Sequence, residues 1–162
     1  QADYLEFSSP DRFDLILLIM CDLCALSPDQ RHQLLTVFHR HLRPGGAVVL
    51  DVYSLRSFEE REEAATYELN QLDGFWSAEP YYGFVNTFKY DAEKVVLDKY
   101  TLVSESGTRE VYNWVQHFDR DALAGELARV GLEVEEVLAD VAGGAYAEDA
   151  PELAVVARKK YA

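Results

Sequence analysis

The segment from Phe13 to Tyr53 constrains the fold more than any other part of this sequence. It begins with an almost unbroken apolar run at residues 13–20, in which Asp14 is the single acidic residue. Polar and apolar residues do not alternate there, so the run predicts a strand buried on both faces, as in a parallel sheet covered by helices. A second apolar run follows at residues 47–52, and it predicts a neighbouring strand.

A helix is predicted between the two runs. Ser27 is expected to cap its N-terminus, with Pro28 in the first helical position and Gln30 completing a capping box. Apolar residues then recur at helical spacing and form one stripe, Leu34, Leu35, Phe38 and Leu42. The residues Arg-Pro-Gly-Gly at 43–46 end the helix. The segment therefore predicts a strand, a helix and a second, parallel strand.

A resemblance to class I S-adenosylmethionine-dependent methyltransferases runs through FDLILLIMCDLCALSP and LLTVFHRHLRPGGAVVLDVYS. In that family, F-D precedes the apolar fourth strand, and L-x-P-G-G joins the next helix to the fifth strand. The resemblance implies S-adenosyl-L-methionine as cofactor and a small molecule as substrate. It also implies an α/β fold, a partial Rossmann-like methyltransferase sheet formed by residues 1–53 and 119–162.

The charge of the chain excludes two classes of partner. A formal net charge of −14 over 162 residues repels nucleic-acid phosphates and anionic membranes. No apolar run approaches the ~20 residues that cross a bilayer. The only cysteines, Cys21 and Cys24, have no second pair of ligands, so we expect two reduced thiols rather than a redox pair or half of a zinc site. These features predict a cytoplasmic protein that binds no metal.

The cofactor site of the resembling family depends on a Gly-rich turn and an acidic residue that precede the fourth strand. Neither is found here, since the first glycine is Gly45. The chain is therefore expected to be the C-terminal portion of a longer methyltransferase, inactive by itself. The strand at residues 13–20 would then have an open edge beside Leu15, Ile16, Leu17 and Ile19. We expect a homodimer through this edge or the adjacent helix faces.

Residues 54–118 are predicted to form an insertion. Ser57 and Glu60 read as a capping box for a helix over residues 58–72. Residues 82–118 alternate between apolar and polar side chains around two turns, at 91–94 and 105–108, and predict a three-stranded antiparallel sheet. Such an insertion after the fifth strand commonly forms a lid over the active site of the resembling family.

The remainder of the chain returns to the α/β pattern. Asp119 is expected to cap a helix whose apolar face carries Leu123, Leu127 and Val130, and Gly131 ends it. Two strands follow, and the resemblance implies that the last runs antiparallel to the rest of the sheet.

Candidate cofactor-binding residues lie near two strands. The family has an acidic residue after its third strand that accepts a hydrogen bond from adenine. Asp3, with Tyr4 and Leu5, fits that place, although a plain surface loop is the alternative. Ligands of doubly wound sheets bind beyond the carboxyl ends of the strands, so the candidate cofactor residues after the first run are Cys21, Asp22 and Leu23.

Candidate substrate-binding residues are aromatic and lie mostly in the predicted lid, where they could stack on a flat or cationic acceptor. They are Tyr53, Tyr82, Tyr112, Trp114 and His117. The alternative is that these rings fill the core of the lid. His117 could act as a general base or make a structural hydrogen bond. No catalytic residue is assigned, and the sequence does not identify the methyl acceptor.

Other functions are poorly supported. A nucleophilic hydrolase would need a G-x-S-x-G turn, and a nicotinamide enzyme would need a Gly-rich turn after a strand; the sequence contains neither. Two hypotheses remain, a methyltransferase and a non-catalytic α/β binding or assembly domain derived from that fold.

Overall fold

The structure is a computed structural model that describes residues 3–161. The strands in this range form two four-stranded sheets. The elements in chain order are β1 (Phe13–Leu18), a short 3-10 helix (Asp22–Ala25), α1 (Pro28–His41), β2 (Leu42–Tyr53), α2 (Leu55–Glu60), β3 (Ala64–Leu69), β4 (Tyr81–Tyr90), β5 (Val95–Ser104), β6 (Gly107–Gln116), α3 (Arg120–Arg129), β7 (Leu132–Leu138) and β8 (Glu152–Lys159). Within residues 3–161, no helix has the length and apolar character needed to cross a membrane.

The first sheet, called the core sheet here, has the strand order β1-β2-β8-β7. β1 and β2 run parallel, with Leu15 opposite Ala47 and Leu18 opposite Leu50. β8 runs antiparallel to both of its neighbours. This topology confirms the predicted partial Rossmann-like sheet, including the reversed direction of the last strand.

Helices α1 and α3 pack with this sheet into one hydrophobic core. Its fully buried leucines and valines are Leu34 and Leu35 of α1, Leu123 and Leu127 of α3, and Val48, Leu50 and Val52 of β2. Each large apolar side chain buried in this way contributes about 1.5–3 kcal/mol to folding. The apolar stripe read from the helix sequence therefore faces the sheet.

The start of α1 is as predicted, and its end differs slightly. Ser27 Oγ accepts the N–H of Gln30 at 3.3 Å, and the Ser27 N–H donates to Gln30 Oε1 at 2.9 Å. The helix ends at His41, and β2 already begins at Leu42, five residues before the predicted strand. Gly45 makes this early start possible, because its φ of +78° bends the strand where the β1–β2 register shifts.

The prediction that the first strand is buried on both faces is wrong for the described chain. Leu15 is 52% and Leu17 is 58% exposed, whereas Leu18 is 7% exposed. The reason is topological, since β1 stands at the end of the core sheet and α1 covers one of its faces. The outer edge of β1 has no strand beside it in the described residues, as expected. Of the four side chains named for that edge, Leu15, Leu17 and Ile19 are exposed, whereas Ile16 packs against the core.

The second sheet, called the lid, has the antiparallel order β3-β4-β5-β6. Three of its strands and both turns follow the prediction. The helix predicted over residues 58–72 is wrong. α2 is a short helix capped by Ser54, and Ala64–Leu69 is a fourth strand. Thr66 and Tyr67, which favour strands, pair there with Val85 and Phe84, whereas no apolar helical stripe holds a helix in place.

The lid is joined to the core by adjacent backbone segments. Ser54 and Phe118 form a parallel bridge, and the Phe118 N–H donates to the Tyr53 carbonyl at 2.9 Å. Asp119 Oδ1 then accepts the Ala122 N–H at 2.7 Å and caps α3, as predicted. The lid is therefore attached at the carboxyl end of β2.

Candidate functional site

The loop after β1 has an unusual backbone. Met20 and Cys21 both have positive φ, at 73° and 56°, a conformation that costs non-glycine residues roughly 1–2 kcal/mol each. The buried Asp51 carboxylate, on β2, accepts the N–H of Cys21 at 2.9 Å and that of Met20 at 3.3 Å. Asp51 therefore holds the loop that carries the candidate cofactor residues. Sequence reasoning missed this role, although an acidic residue ending an apolar strand was a visible signal.

The three candidate residues of this loop have different environments. Asp22 is exposed, Cys21 is buried, and Leu23 is fully buried in the core. Cys21 and Cys24 are both free and buried. A hydrogen bond with the Cys24 side chain, and then burial, raises the pKa of the Cys21 thiol. Cys21 is therefore a protonated thiol and not a thiolate nucleophile.

One group of potential metal ligands lies in the described residues. Ligand atoms of Cys21, Asp51 and Glu152 are within 4.8 Å of one another. The thiol is protonated, and two backbone N–H groups already occupy the Asp51 carboxylate. Of the three residues, Asp51 holds the loop to the sheet through these two hydrogen bonds.

The N-terminal candidates reach the same rim. Asp3 Oδ1 accepts the Leu5 N–H at 2.9 Å in a tight turn, and Gln33 Nε2 donates to the Leu5 carbonyl at 3.0 Å. Partial burial, followed by the charges of Asp22 and Asp3, raises the pKa of Tyr4. The charge of Asp22 therefore acts on Tyr4 although the two residues are far apart in sequence.

His117 lies at the base of the lid. Its ring is 5.9 Å from that of Tyr53 and 5.4 Å from that of Phe58, measured between centroids. The side chain is 4% exposed, and within the described residues Nδ1 has no hydrogen-bond partner. Burial lowers the pKa of His117, and the positive charges of Arg61 and Lys89 add to the effect. The imidazole is therefore neutral, and its buried Nδ1 makes no hydrogen bond in the described residues.

A cleft of about 570 Å³ separates the core from the lid. Trp114 and Tyr90 form its aromatic side, with ring centroids 5.6 Å apart. The other lining residues are Cys24, Ala25, Leu26, Ser27, Pro28, Gln30 and Arg31 from the core, and Glu93, Val95 and Gln116 from the lid. A smaller cavity of about 210 Å³ shares Arg31, Glu93 and Gln116 with the cleft and reaches His117.

Arg31 fixes the core wall of the cleft. Its guanidinium forms a bidentate pair with Glu126 of α3, with a shortest distance of 2.8 Å, and Nη1 donates to the Leu26 carbonyl at 2.8 Å. The guanidinium also lies 5.3 Å from the centre of the Phe118 ring. One side chain thus connects α1, α3, the loop before α1 and the root of the lid.

The structure brings together only part of the predicted substrate set. Trp114 lines the cleft, and Tyr53 and His117 lie behind it. Tyr82 and Tyr112 lie on the same lid face but outside the cleft, both half exposed. Tyr112 donates its hydroxyl to Glu110 at 2.8 Å. Sequence reasoning missed Tyr90, Glu93 and Gln116 as lining residues. Glu93 lies in residues 91–94, which showed only the pattern of a turn, and Tyr90 and Gln116 stand at strand ends with no signal that marks them.

Comparison with known proteins gives a consistent structural result. No protein-family model matches this sequence, and no curated protein matches it. The CcbJ methyltransferase of Streptomyces caelestis has a similar structure, with a TM-score of 0.70 and 15% identity over 99% of this chain and 62% of its own. An S-adenosylmethionine-dependent methyltransferase of Clostridium acetobutylicum has a TM-score of 0.71 and 11% identity over 98% and 63%.

A third similar structure is the sugar N-methyltransferase KedS8 of Streptoalloteichus, with a TM-score of 0.58 and 17% identity over 99% of this chain and 61% of its own. The chain therefore spans about three fifths of the length of these methyltransferases. At such identities the likeness concerns the fold. The chain has the fold of the class I S-adenosylmethionine-dependent methyltransferases, over the region that includes the core sheet and the lid.

Proposed function

We propose that this chain is the lid-bearing part of an S-adenosylmethionine-dependent methyltransferase that acts on a small molecule. The observation that carries the proposal is the cleft of about 570 Å³ between residues 24–31 of the core and the rings of Tyr90 and Trp114 in the lid. Its volume lies in the range of ordinary small-molecule sites. The similar structures include a glycopeptide N-methyltransferase in complex with S-adenosyl-L-methionine and a sugar N-methyltransferase, and the second of these supports a small-molecule acceptor.

The cofactor would lie along the rim formed by the N-terminal turn and the loop after β1. S-adenosyl-L-methionine supplies a methyl group already activated on sulfur, so the protein's part is to bind and orient the reactants. Tyr4 offers an aromatic ring, and Asp22, whose charge acts on Tyr4, offers an exposed carboxylate; the two groups suit an adenosine group. Leu23 is buried and would act only by supporting the loop. The residues of this rim therefore fit only part of the cofactor, as expected if further residues form the other side of the cofactor site.

The acceptor would lie in the cleft, against the rings of Trp114 and Tyr90. These rings favour a flat or cationic group, and Glu93 adds a carboxylate at the same side. His117 would receive a proton if the acceptor carries one, because its ring is neutral, its buried Nδ1 has no hydrogen-bond partner in the described residues, and the residue lines the adjoining cavity. Tyr53 would hold the plane of the His117 ring.

Calorimetry with S-adenosylhomocysteine tests the cofactor part of the proposal. Residues 1–162 should show no micromolar binding. A product extended by roughly 70–100 N-terminal residues encoded upstream, enough for the missing βαβ units, should bind. Micromolar binding by residues 1–162 would mean that the cofactor site is misplaced.

Transfer of a labelled methyl group by the extended protein to a panel of small amines, alcohols and thiols tests the reaction. Trp114→Ala should raise KM, and His117→Gln should lower kcat by about 10²-fold or more if a proton must be removed. The matched control is Tyr146→Phe, outside the cleft. An extended protein that neither binds the cofactor nor transfers the methyl group would instead support the non-catalytic binding domain.

A further inference from the structure

The two faces of the lid are covered very differently. One face carries Tyr81, Val96 and Leu102, which are at most 6% exposed and lie against the chain's own loops. The opposite face, called the open face here, carries six aromatic side chains that are 39% to 72% exposed: Tyr67, Tyr82, Phe84, Phe88, Tyr112 and Trp114. These residues lie on one side of the lid because side chains alternate along a strand and paired residues share a face. Tyr67 is paired with Phe84, and Leu97 is paired with both Phe88 and Trp114.

The open face is continuous and large. Phe84 lies directly across from Tyr67, and their rings are stacked at 5.8 Å. Phe88 and Trp114 flank Leu97 on the two sides of β5. With about 200 Å² for each aromatic side chain, the six rings expose about 600 Å². This reaches the upper limit of apolar patches on monomers and, with the residues between them, approaches the ~800 Å² that each partner buries in a stable interface.

The charges of the open face indicate which partner it fits. Lys99 and Glu110, its central charged residues, neutralise each other at 2.6 Å, although the chain as a whole carries −14. A strongly basic or acidic partner would find no charge to pair with there. A second copy of the chain would place an identical flat, neutral and aromatic sheet against this one. Two such sheets pack face to face about 10 Å apart.

We propose that two copies of this chain associate through the open faces of their lids, sheet against sheet around a twofold axis. This interface is distinct from the β1 edge and lies on the other sheet. Trp114 belongs both to the open face and to the cleft, so the partner lid would also cover one side of the acceptor pocket.

Sedimentation velocity of the full chain, from about 1 to about 100 μM, tests the proposal. We expect a monomer–dimer equilibrium in this range. Tyr67→Lys, on the edge strand β3, and Phe84→Lys should each weaken dimerisation by about 30-fold or more, because each would bury an unpaired charge. Val141→Lys, 45% exposed in a loop outside the lid, is the control and should change nothing.

A second control separates the two candidate interfaces. Leu17→Lys places the same charge on β1 and should leave the dimer intact. A chain that stays monomeric at the highest concentration would overturn the proposal. So would a dimer that Leu17→Lys dissociates and Tyr67→Lys does not. Circular dichroism verifies folding, and Tyr67→Lys decides alone if Phe84→Lys unfolds, since its side chain is 72% exposed.

Discussion

The pair formed by Arg31 and Glu126 gives the sharpest prediction about how the cleft is held. The Arg31 side chain is 5% exposed and that of Glu126 is 19% exposed. Glu126→Gln leaves the guanidinium buried without its counter-charge. Breaking a buried pair from one side costs about 3–5 kcal/mol, and the partial exposure of this pair places the expected loss near 3 kcal/mol. At about 2–4 °C for each kcal/mol, the melting temperature should fall by roughly 6–12 °C.

The opposite substitution should cost less. Arg31→Met keeps roughly the volume of the side chain and leaves the Glu126 carboxylate without a counter-charge. Glu126 is exposed enough for this carboxylate to turn to water. We expect a loss of about 1–2 kcal/mol. The double variant Arg31→Met/Glu126→Leu removes both charges and should be less destabilised than Glu126→Gln alone, because no unpaired charge remains.

Urea unfolding followed by circular dichroism measures these differences. The control is the exposed pair of Arg43 and Asp14, with side chains 57% and 78% exposed, and Asp14→Asn should cost less than about 1 kcal/mol. The reasoning fails if Glu126→Gln costs no more than Asp14→Asn. It also fails if the double variant is less stable than both single variants.

Three further predictions concern His117, Ser27 and two glycines. Burial lowers the pKa of His117, so its contribution to stability should be complete above its ordinary value of 6.5 and lost as the pH falls below it; His117→Gln should flatten the urea midpoint over that range. Ser27→Ala should cost about 0.5–2 kcal/mol in urea unfolding through the lost cap; a loss below this range would contradict the capping role. Gly83→Ala should destabilise by about 1–3 kcal/mol, because its Cβ would lie 2.5 Å from Gln71 Oε1. Gly125→Ala has free space in α3 and should stabilise by up to about 1 kcal/mol; equal melting shifts for the two alanines would refute the packing argument.

The features of the fold that could be predicted from sequence are those decided locally. The capping box of Ser27 and Gln30 lies within four residues, and the alternation along β4 to β6 is visible in each strand. β3 was missed because its strand conformation depends on pairing with β4. The acidic residues before it, at 59–63, are also typical of the first turns of a helix. The exposure of β1 depends on which strands stand beside it, a property that its own residues do not encode.

The candidate site was predictable to a smaller extent. The rule that ligands bind at the carboxyl ends of strands predicted a site at the loop after β1, and this loop leads to Cys24, which lines the cleft. The walls of the cleft could not be read in the same way. Arg31 and Glu93 are distant in sequence, and only the position of the lid over α1 makes them neighbours. The effect of the Asp22 charge on Tyr4 likewise arises from folding, since the two residues are far apart in sequence.

The join between the lid and the core has a consequence for how such a protein can vary. The chain leaves the core at Ser54 and returns at Phe118, and these two residues are bridged neighbours. A segment whose two ends already touch behaves as a cassette, since its length hardly affects the entropic cost of closing the chain. It can be lengthened or exchanged while β2 and α3 keep their places, so new binding surfaces can be grafted onto an unchanged scaffold.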